Sequence, residues 1–226
     1  MKLGETVTMP CIACTQPSTN PFCGSCAMLE YAEVIRTFCH HSTSTNPVEM
    51  AQALMAHPRF PAAGQAHHPL VAGSLVAAYR NAGGDAGVAE IDAAIQRANT
   101  IPGGFCAGFG ADAAAIACGI AVSVIERATV KAEHAVARSR AHTLTGQGML
   151  LIANSHGNRC CKRSVFTVLE LAAHFFTATM GVALAPPRGR VECAFSSQNK
   201  LCNEADCKFY PAIPPVKAEP RLAVLG

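Results

Sequence analysis

The sequence predicts a mainly α protein: a multi-helix Ala/Gly-rich core, a small N-terminal Cys-x-x-Cys metal knuckle, and an irregular Cys-containing C-terminal tail. Three observations predict this class. Half of the 226 residues are apolar and only 15% are charged, so one sizeable core can be buried. Aromatic residues are scarce and Trp is absent, which favours helices packed closely at small residues. Apolar residues mostly recur at helical spacing, and strand-like alternation is rare.

The composition divides the chain into three zones. Residues 1–26 carry two cysteine pairs separated by Pro and polar residues. Residues 27–185 form a nearly continuous helical pattern, and residues 186–226 are rich in Pro and Cys. We expect a metal-binding knuckle, a helical core domain, and a tail that packs on the core.

Cap and stop signals place the helices. Asn46 is a cap ahead of Pro47 at the first helical position, and Gly83 with Gly84 ends the following helix. The predicted helices lie near 27–40, 47–57, 69–82, 87–100 and 109–127, followed by the segments VKAEHAVARSR, TLTGQGMLLIANS and CKRSVFTVLELAAHFFTATMGVAL.

The most apolar stretch, residues 103–127, is long enough to raise the question of a membrane span. It contains Asp112 and is built from Ala and Gly, so we expect a buried core helix. The first residues lack the apolar run of a secretory signal, and a net charge of +3 is too weak to indicate nucleic acid or an anionic membrane. We therefore expect a cytoplasmic protein.

Twelve cysteines are present. In a reducing cytosol such cysteines more often bind metal or do chemistry than form disulfides. The first set is Cys11, Cys14, Cys23 and Cys26, two C-x-x-C pairs that offer four soft ligands to one ion, which suits zinc. Such a site would be structural, because four thiolates leave no open position. The alternative is a set of reduced, unligated cysteines.

His67 and His68 stand before Pro69 near a predicted helix start. Adjacent side chains diverge on a helix, so we do not expect both to reach one metal. One could ligate a metal or move a proton while the other caps the helix or packs. They are candidate catalytic residues.

Cys106 lies in a Gly-rich turn at a helix start, where free N–H groups and the helix dipole would lower a thiol pKa. Asp112 follows within an apolar helix, where a buried carboxylate needs a partner or a metal. Both are candidate catalytic residues. The alternatives are a small buried apolar residue at Cys106 and close helix packing at the glycines.

The segment RCCKR places Cys160 and Cys161 among Arg159, Lys162 and Arg163. Cations at a helix N-terminus oppose its dipole, so this arrangement makes sense if an anion binds there. Thiolates, a cluster or a charged substrate would serve, and the cations are candidate cofactor-binding residues. The same field would lower the cysteine pKa values and make Cys160 a candidate nucleophile. The alternative is an exposed basic turn.

The tail carries three further candidate ligands, Cys193, Cys202 and Cys207. A fourth thiolate, from Cys160 or Cys161, would complete a site for an iron–sulfur cluster or a second zinc. The alternative is a disordered tail with loose cysteines.

Several of these elements together resemble an uncharacterised prokaryotic family, the domain of unknown function numbered 5714. The resemblance covers roughly residues 10–210. It implies the site residues at the N-terminal pairs Cys11 to Cys26, the His-His element, the Pro-Gly-Gly-x-Cys turn from Pro102 to Cys106, Arg159 to Arg163, and the three tail cysteines. This chain departs from the family pattern with a shorter knuckle, and with Asp112 where members carry a second cysteine. An aspartate can replace a thiolate as a harder ligand.

Two functions from different classes follow. The first is a cytosolic metalloprotein with a thiolate-based redox or sulfur-handling role on a small anionic or sulfur-containing substrate, with zinc in the knuckle and an iron–sulfur cluster or thiolate site near Cys106, Asp112, Cys160 and Cys161. The second is a zinc-stabilised adaptor or metal carrier that binds a protein partner. A third, less supported, is a transferase or hydrolase with a cysteine nucleophile and a histidine base.

Overall fold

The computed structural model describes residues 7–212. The described chain is mainly helical, which confirms the predicted fold class. A two-residue antiparallel pair, β1 (Met9–Pro10) and β2 (Pro17–Ser18), precedes the helices. The helices are α1 (Gly24–Ala27), α2 (Tyr31–His41), α3 (Pro47–Met55), α4 (His67–Asn81), α5 (Val88–Asn99), α6 (Phe105–Gly108), α7 (Ala113–Ile125), α8 (Ala135–Asn154) and α9 (Cys161–Phe175).

Helix α4 is the centre of the core. Every residue from His67 to Tyr79 is buried, because α2, α3, α5, α7 and α9 all pack against this helix. One continuous apolar core extends from Cys11 to Phe209. The first turn of α4, which carries the two histidines, therefore lies deep in the molecule.

Small residues let α7 and α8 approach closely. A Cβ added at Gly119 would lie 2.1 Å from Thr145 Oγ1 and 3.0 Å from the backbone oxygen of Ala141. A Cβ added at Gly148 would lie 3.2 Å from the Cβ of Ala115. The Ala/Gly composition thus sets the distance between these helices.

Gly119→Ala is expected to destabilise the protein by about 1–3 kcal/mol, because the threonine can rotate but the helix backbone at Ala141 cannot yield. Gly146→Ala on the neighbouring helix is the matched control: its added Cβ meets nothing within 4 Å. That change should stabilise the protein by about 0.5–1 kcal/mol through helix propensity alone. Urea unfolding measures both, and equal effects of the two changes would contradict the close packing.

Several helix boundaries differ from the sequence prediction; for example, the helix predicted near 27–40 begins at Tyr31. Residues 135–154 form the single helix α8, where the sequence predicts two separate segments. Helix α7 begins at Ala113, so Asp112 is its N-cap and not an interior residue. Helix α9 ends at Phe175, followed by a π-helical turn that stops at Gly181 with φ of 70°.

No helix within residues 7–212 has both the length and the apolar character to cross a membrane. The Ala-rich segment instead forms α7, whose residues are buried in the core.

Candidate functional site

The four N-terminal cysteines form a compact cluster, here called the knuckle (Cys11, Cys14, Cys23 and Cys26). Their sulfur atoms all lie within 4.8 Å of one another, and the Sγ atoms of Cys14 and Cys23 are 3.7 Å apart. Four sulfurs at about 2.3 Å from one ion stand about 3.8 Å from each other in a tetrahedron. The knuckle is therefore close enough to hold a metal ion.

Backbone groups hold the knuckle in this shape. The Cys11 N–H donates to the Gln16 oxygen at 2.8 Å, and the Cys23 N–H donates to Cys11 Sγ at 3.3 Å. Burial alone would raise the pKa of Cys11, but donation from the backbone N–H groups of Cys23, Cys14 and Ala13 lowers it to about 6. Burial and the adjacent thiols raise the pKa of Cys26. The cluster thus favours one thiolate even without a metal.

A second group of reactive side chains surrounds a small void, here called the inner cavity. Its volume is about 30 Å³, room for roughly two waters or an ion. Elements far apart in sequence contribute to it: the loop before α4, the first turn of α4, the turn at α6, the cap of α7 and the start of α9. Its lining includes Gly64, His67, His68, Gly104, Phe105, Cys106, Asp112, Arg159, Cys160, Cys161 and Ser164.

Both histidines present the same nitrogen as a free acceptor. Nδ1 of His67 is 3.1 Å from the Gly64 oxygen, and Nδ1 of His68 is 3.2 Å from the Ile101 oxygen. A carbonyl oxygen only accepts, so Nδ1 carries the hydrogen and Nε2 of the neutral ring keeps its lone pair. Nε2 of His67 is buried without a hydrogen-bond partner. Metal-binding histidines are commonly oriented by such a bond from the other nitrogen.

Sequence spacing alone predicts that the two rings diverge, yet both border the inner cavity. Both residues lie in the first turn of α4, which begins at His67. The structure thereby brings together the candidates His67, His68, Cys106, Asp112 and Cys160.

Acid is expected to destabilise the fold through His67. Burial, with the nearby charge of Lys162 as a smaller cause, lowers the pKa of His67 to about 3. In the unfolded state the His67 ring titrates near 6.5. Between about pH 6.5 and 3 the unfolded state therefore binds more protons than the folded state, and the free energy of unfolding decreases as the pH is lowered. The loss reaches about 2 kcal/mol at pH 5 in urea unfolding.

His67→Gln should flatten this pH dependence, whereas His41→Gln, a change of an exposed ring, should leave it unaltered. If acid releases a knuckle metal, it does so in both variants, so the difference between the variants is independent of that release. An unchanged slope in His67→Gln would contradict a buried neutral ring.

The Asp112 carboxylate joins helices α7 and α9 by hydrogen bonds. One carboxylate oxygen accepts from the Ala114 N–H and the other from the Ser164 hydroxyl, both at 2.8 Å. The sequence predicts this carboxylate inside a helix, but it caps α7 and joins that helix to α9. Each oxygen keeps a further lone pair, and the residue borders the inner cavity.

Cys161 points to the inner cavity and accepts from the Gly64 N–H at 3.4 Å. Burial raises its pKa, and the lowering effects of Gly64 and Arg159 do not outweigh that burial. The expectation that the basic neighbours depress this thiol is therefore wrong, because the charges they supply are offset by desolvation.

The three basic residues separate in space. Arg159 is exposed at the rim of the inner cavity. Lys162 is only 2% exposed, and its Nζ donates to the Ala62 oxygen at 2.6 Å. Arg163 donates to the Asn158 oxygen at 2.6 Å. Only Arg159 of the three borders the inner cavity.

An open depression of about 470 Å³, here called the outer groove, adjoins the inner cavity. The two share part of their lining, namely Cys106, Asp112, Arg159, Cys160 and Ser164. His156 and Arg163 add basic character to the outer groove. A small anion in this groove would lie next to the thiols of Cys106 and Cys160.

The tail cysteines border a third space, here called the tail cavity. Its lining includes Cys160, Lys162, Phe166, Cys193, Phe195, Cys202, Cys207, Phe209 and Tyr210. Burial, together with the charges of Cys160 and Cys202, raises the pKa of Cys193 to about 11, while Lys162 acts in the opposite direction. The three tail cysteines thus gather beside Cys160.

A comparison with protein-family models shows which family the chain belongs to. The model of a family of unknown function, DUF5714, matches residues 35–210, well over half of the chain. The chain belongs to the DUF5714 family. The matched DUF5714 region contains the inner cavity, the outer groove and the tail cavity, whereas the knuckle precedes it. No curated protein and no solved structure matches the chain.

Two residues that hold side chains of the inner cavity carry no prediction from the sequence. Gly64 donates to Cys161 and accepts from His67, and Ser164 holds Asp112. Ser164 lies one helical turn after Cys160, a spacing that could have indicated a shared face. Gly64 lies in an irregular loop and carried no comparable signal.

Proposed function

We propose that the protein is a metal-binding helical protein of the cytoplasm with a thiolate-based redox or sulfur-handling role, and that the inner cavity is its working centre. The observation that carries the proposal is Nε2 of His67, which is buried without a partner beside a cavity that three thiols border. A buried acceptor of this kind is costly unless it binds a ligand or metal.

By residue type the donor set of the inner cavity suits a metal or cluster, which would draw these groups together, since within residues 7–212 only the knuckle has its ligand atoms within 4.8 Å of one another. Two imidazole nitrogens, a carboxylate and soft thiols are the ligands that zinc and iron accept. The hydrogen bonds of His67, His68 and Asp112 fix three of these groups from behind, as outer partners do around metals. Such a metal would supply Lewis acidity or electron exchange, and the chain would supply the thiols and the neutral imidazoles.

The outer groove supports a small substrate. It leads from the surface to Cys106 and Cys160, and Arg159 stands at the boundary with the inner cavity. A guanidinium there favours an anion, and the adjacent thiols favour one that contains sulfur or accepts electrons. The knuckle would hold zinc in a structural role, because its four sulfurs close the coordination sphere.

Anaerobic purification of the full chain tests the proposal. We expect bound zinc, and iron with acid-labile sulfide if the working centre holds a cluster. His67→Gln and Cys161→Ser should lose the metal of the inner cavity, or the thiols of that cavity should react at least tenfold more slowly with a disulfide probe. Both variants should keep the knuckle metal.

Cys39→Ser is the matched control, because Cys39 is buried in α2 and borders none of the three spaces. A colourless preparation that contains zinc alone would end the cluster version. If His67→Gln and Cys161→Ser leave metal content and thiol reactivity unchanged while a protein partner still binds, the adaptor or metal-carrier function replaces the one proposed.

A further inference from the structure

We propose that Cys160, Cys193, Cys202 and Cys207 form a second four-thiolate metal centre in the tail cavity, separate from the knuckle and from the inner cavity. All four border the same space although 47 residues separate the first from the last. Four thiolates with no harder donor among them suit a thiophilic metal, bound as a zinc ion or as an iron–sulfur cluster.

Backbone contacts give the tail a defined shape around this space. The Cys193 N–H donates to the Phe209 oxygen at 2.7 Å, which joins the two ends of the tail segment. The Glu204 N–H donates to Cys202 Sγ at 3.4 Å, and the Cys207 N–H donates to the Glu204 oxygen at 2.9 Å. Turns that aim N–H groups at sulfur stabilise the thiolate form.

One clamp holds the tail against the turn before α9. Asn203 accepts from the Asn158 N–H at 3.1 Å and lies so close to Gly157 that a Cβ there would fall 1.7 Å from its side-chain nitrogen. Gly157 also has φ of 101°, which a residue with a side chain rarely adopts. The clamp places Cys202 beside the turn that carries Cys160.

The fourth ligand is Cys160 and not Cys161. Cys161 borders the inner cavity, where the Gly64 N–H donates to its sulfur, and it does not border the tail cavity. Cys160 borders both spaces. The adjacent thiols of the sequence therefore serve different sites, and only the first completes the tail set.

A buried cation supports an anionic occupant. Lys162 is 2% exposed, yet within residues 7–212 none of the ion pairs involves it. Its Nζ donates to a neutral backbone oxygen and lies 5.5 Å from the ring centre of Phe195, another wall residue of the tail cavity. A buried cation is expensive without a counter-charge. A metal with four thiolates carries a net negative charge and would supply one.

The space itself is small and largely apolar. Aromatic rings of Phe166, Phe195 and Phe209 line it, and the void is about 20 Å³. In the described chain only the knuckle has all its ligand atoms within 4.8 Å, so the tail sulfurs stand further apart than a single bound ion would hold them. A single zinc ion would have to draw these sulfurs together, whereas an iron–sulfur cluster binds thiolates that stand further apart. Analysis for zinc, iron and acid-labile sulfide distinguishes the two occupants.

The test uses the full chain, purified anaerobically and analysed for zinc, iron and acid-labile sulfide. Cys193→Ser and Cys207→Ser are expected to lose the metal of the tail cavity and to keep the knuckle metal. Cys11→Ser should lose the knuckle metal and keep the metal of the tail cavity. Cys160→Ser should lose the tail metal and also slow the thiol reactions of the inner cavity, whereas Cys161→Ser should affect the inner cavity alone.

Native alkylation followed by mass spectrometry keeps the test independent of how the variants fold. In the wild-type chain, Cys193, Cys202 and Cys207 should react at least tenfold faster after the metal is removed by a chelator, whereas untreated Cys11→Ser, which should lose only the knuckle metal, should not show this increase. Unchanged alkylation rates, or a full metal complement in both Cys193→Ser and Cys207→Ser, would overturn the tail centre. His67→Gln tests the working centre separately, because His67 does not border the tail cavity.

Discussion

Replacing Cys11 by Ser is expected to release the knuckle metal and to lower the free energy of unfolding by about 3–5 kcal/mol. Structural zinc sites contribute roughly 10–16 kcal/mol of apparent binding free energy in small peptides, part of which is folding free energy. Cys11 is 1% exposed, and its sulfur also accepts from the Cys23 N–H. Three remaining thiolates would hold the ion poorly, and the backbone contacts around it would loosen.

The loss should spread beyond the knuckle. Phe22 is buried against the ring of His57 at 4.8 Å between centres, and His57 donates from Nε2 to the Cys26 oxygen at 2.9 Å. Metal analysis and urea unfolding measure the effect. Cys39→Ser provides the comparison, since it should keep the full metal content despite its own core defect. Retention of knuckle metal in Cys11→Ser would contradict a four-thiolate site.

Phe166→Ala is expected to cost about 3–5 kcal/mol, the usual range for truncating a fully buried aromatic residue. The ring is 0% exposed on α9 and lies edge-on to Phe209 with ring centres 5.3 Å apart. Its removal would leave a hole between the helical core and the tail. We therefore also expect faster alkylation of Cys202 and Cys207 in the variant.

Phe109→Ala is the matched control, because that ring is 68% exposed and its loss should change stability by no more than about 0.5 kcal/mol. Urea unfolding gives the stability difference, and mass spectrometry gives the alkylation rates. A cost below 1 kcal/mol for Phe166→Ala, with unchanged thiol reactivity, would show that the tail does not depend on this ring.

The knuckle could be predicted from sequence because its information is local. Two C-x-x-C turns bring four sulfurs together within 16 residues, and few other arrangements of such a segment are possible. The start of a helix was similarly predictable where the sequence contains a capping residue. Asn46 is an example, because its side chain accepts from the N–H groups of Val48 and Glu49.

The inner cavity could be anticipated only as a set of candidate residues. Cys106, Asp112 and Cys161 were singled out by residue type, but their meeting with His67 depends on how α4, α7 and α9 pack. Burial decides the protonation of His67 and the pKa of Cys161, and burial is a property of the folded whole. That is why the expected low pKa of Cys161 was wrong.

The position of Tyr210 on the wall of the tail cavity gives the protein a natural optical reporter. The chain has three tyrosines and no tryptophan, so its ultraviolet emission comes from tyrosine alone. Tyr31 donates to Asn99 and Tyr79 packs against Phe176, both away from the tail. A chromophore that forms beside Tyr210 should quench a distinct part of that emission, which allows occupancy to be followed in the unlabelled wild-type chain.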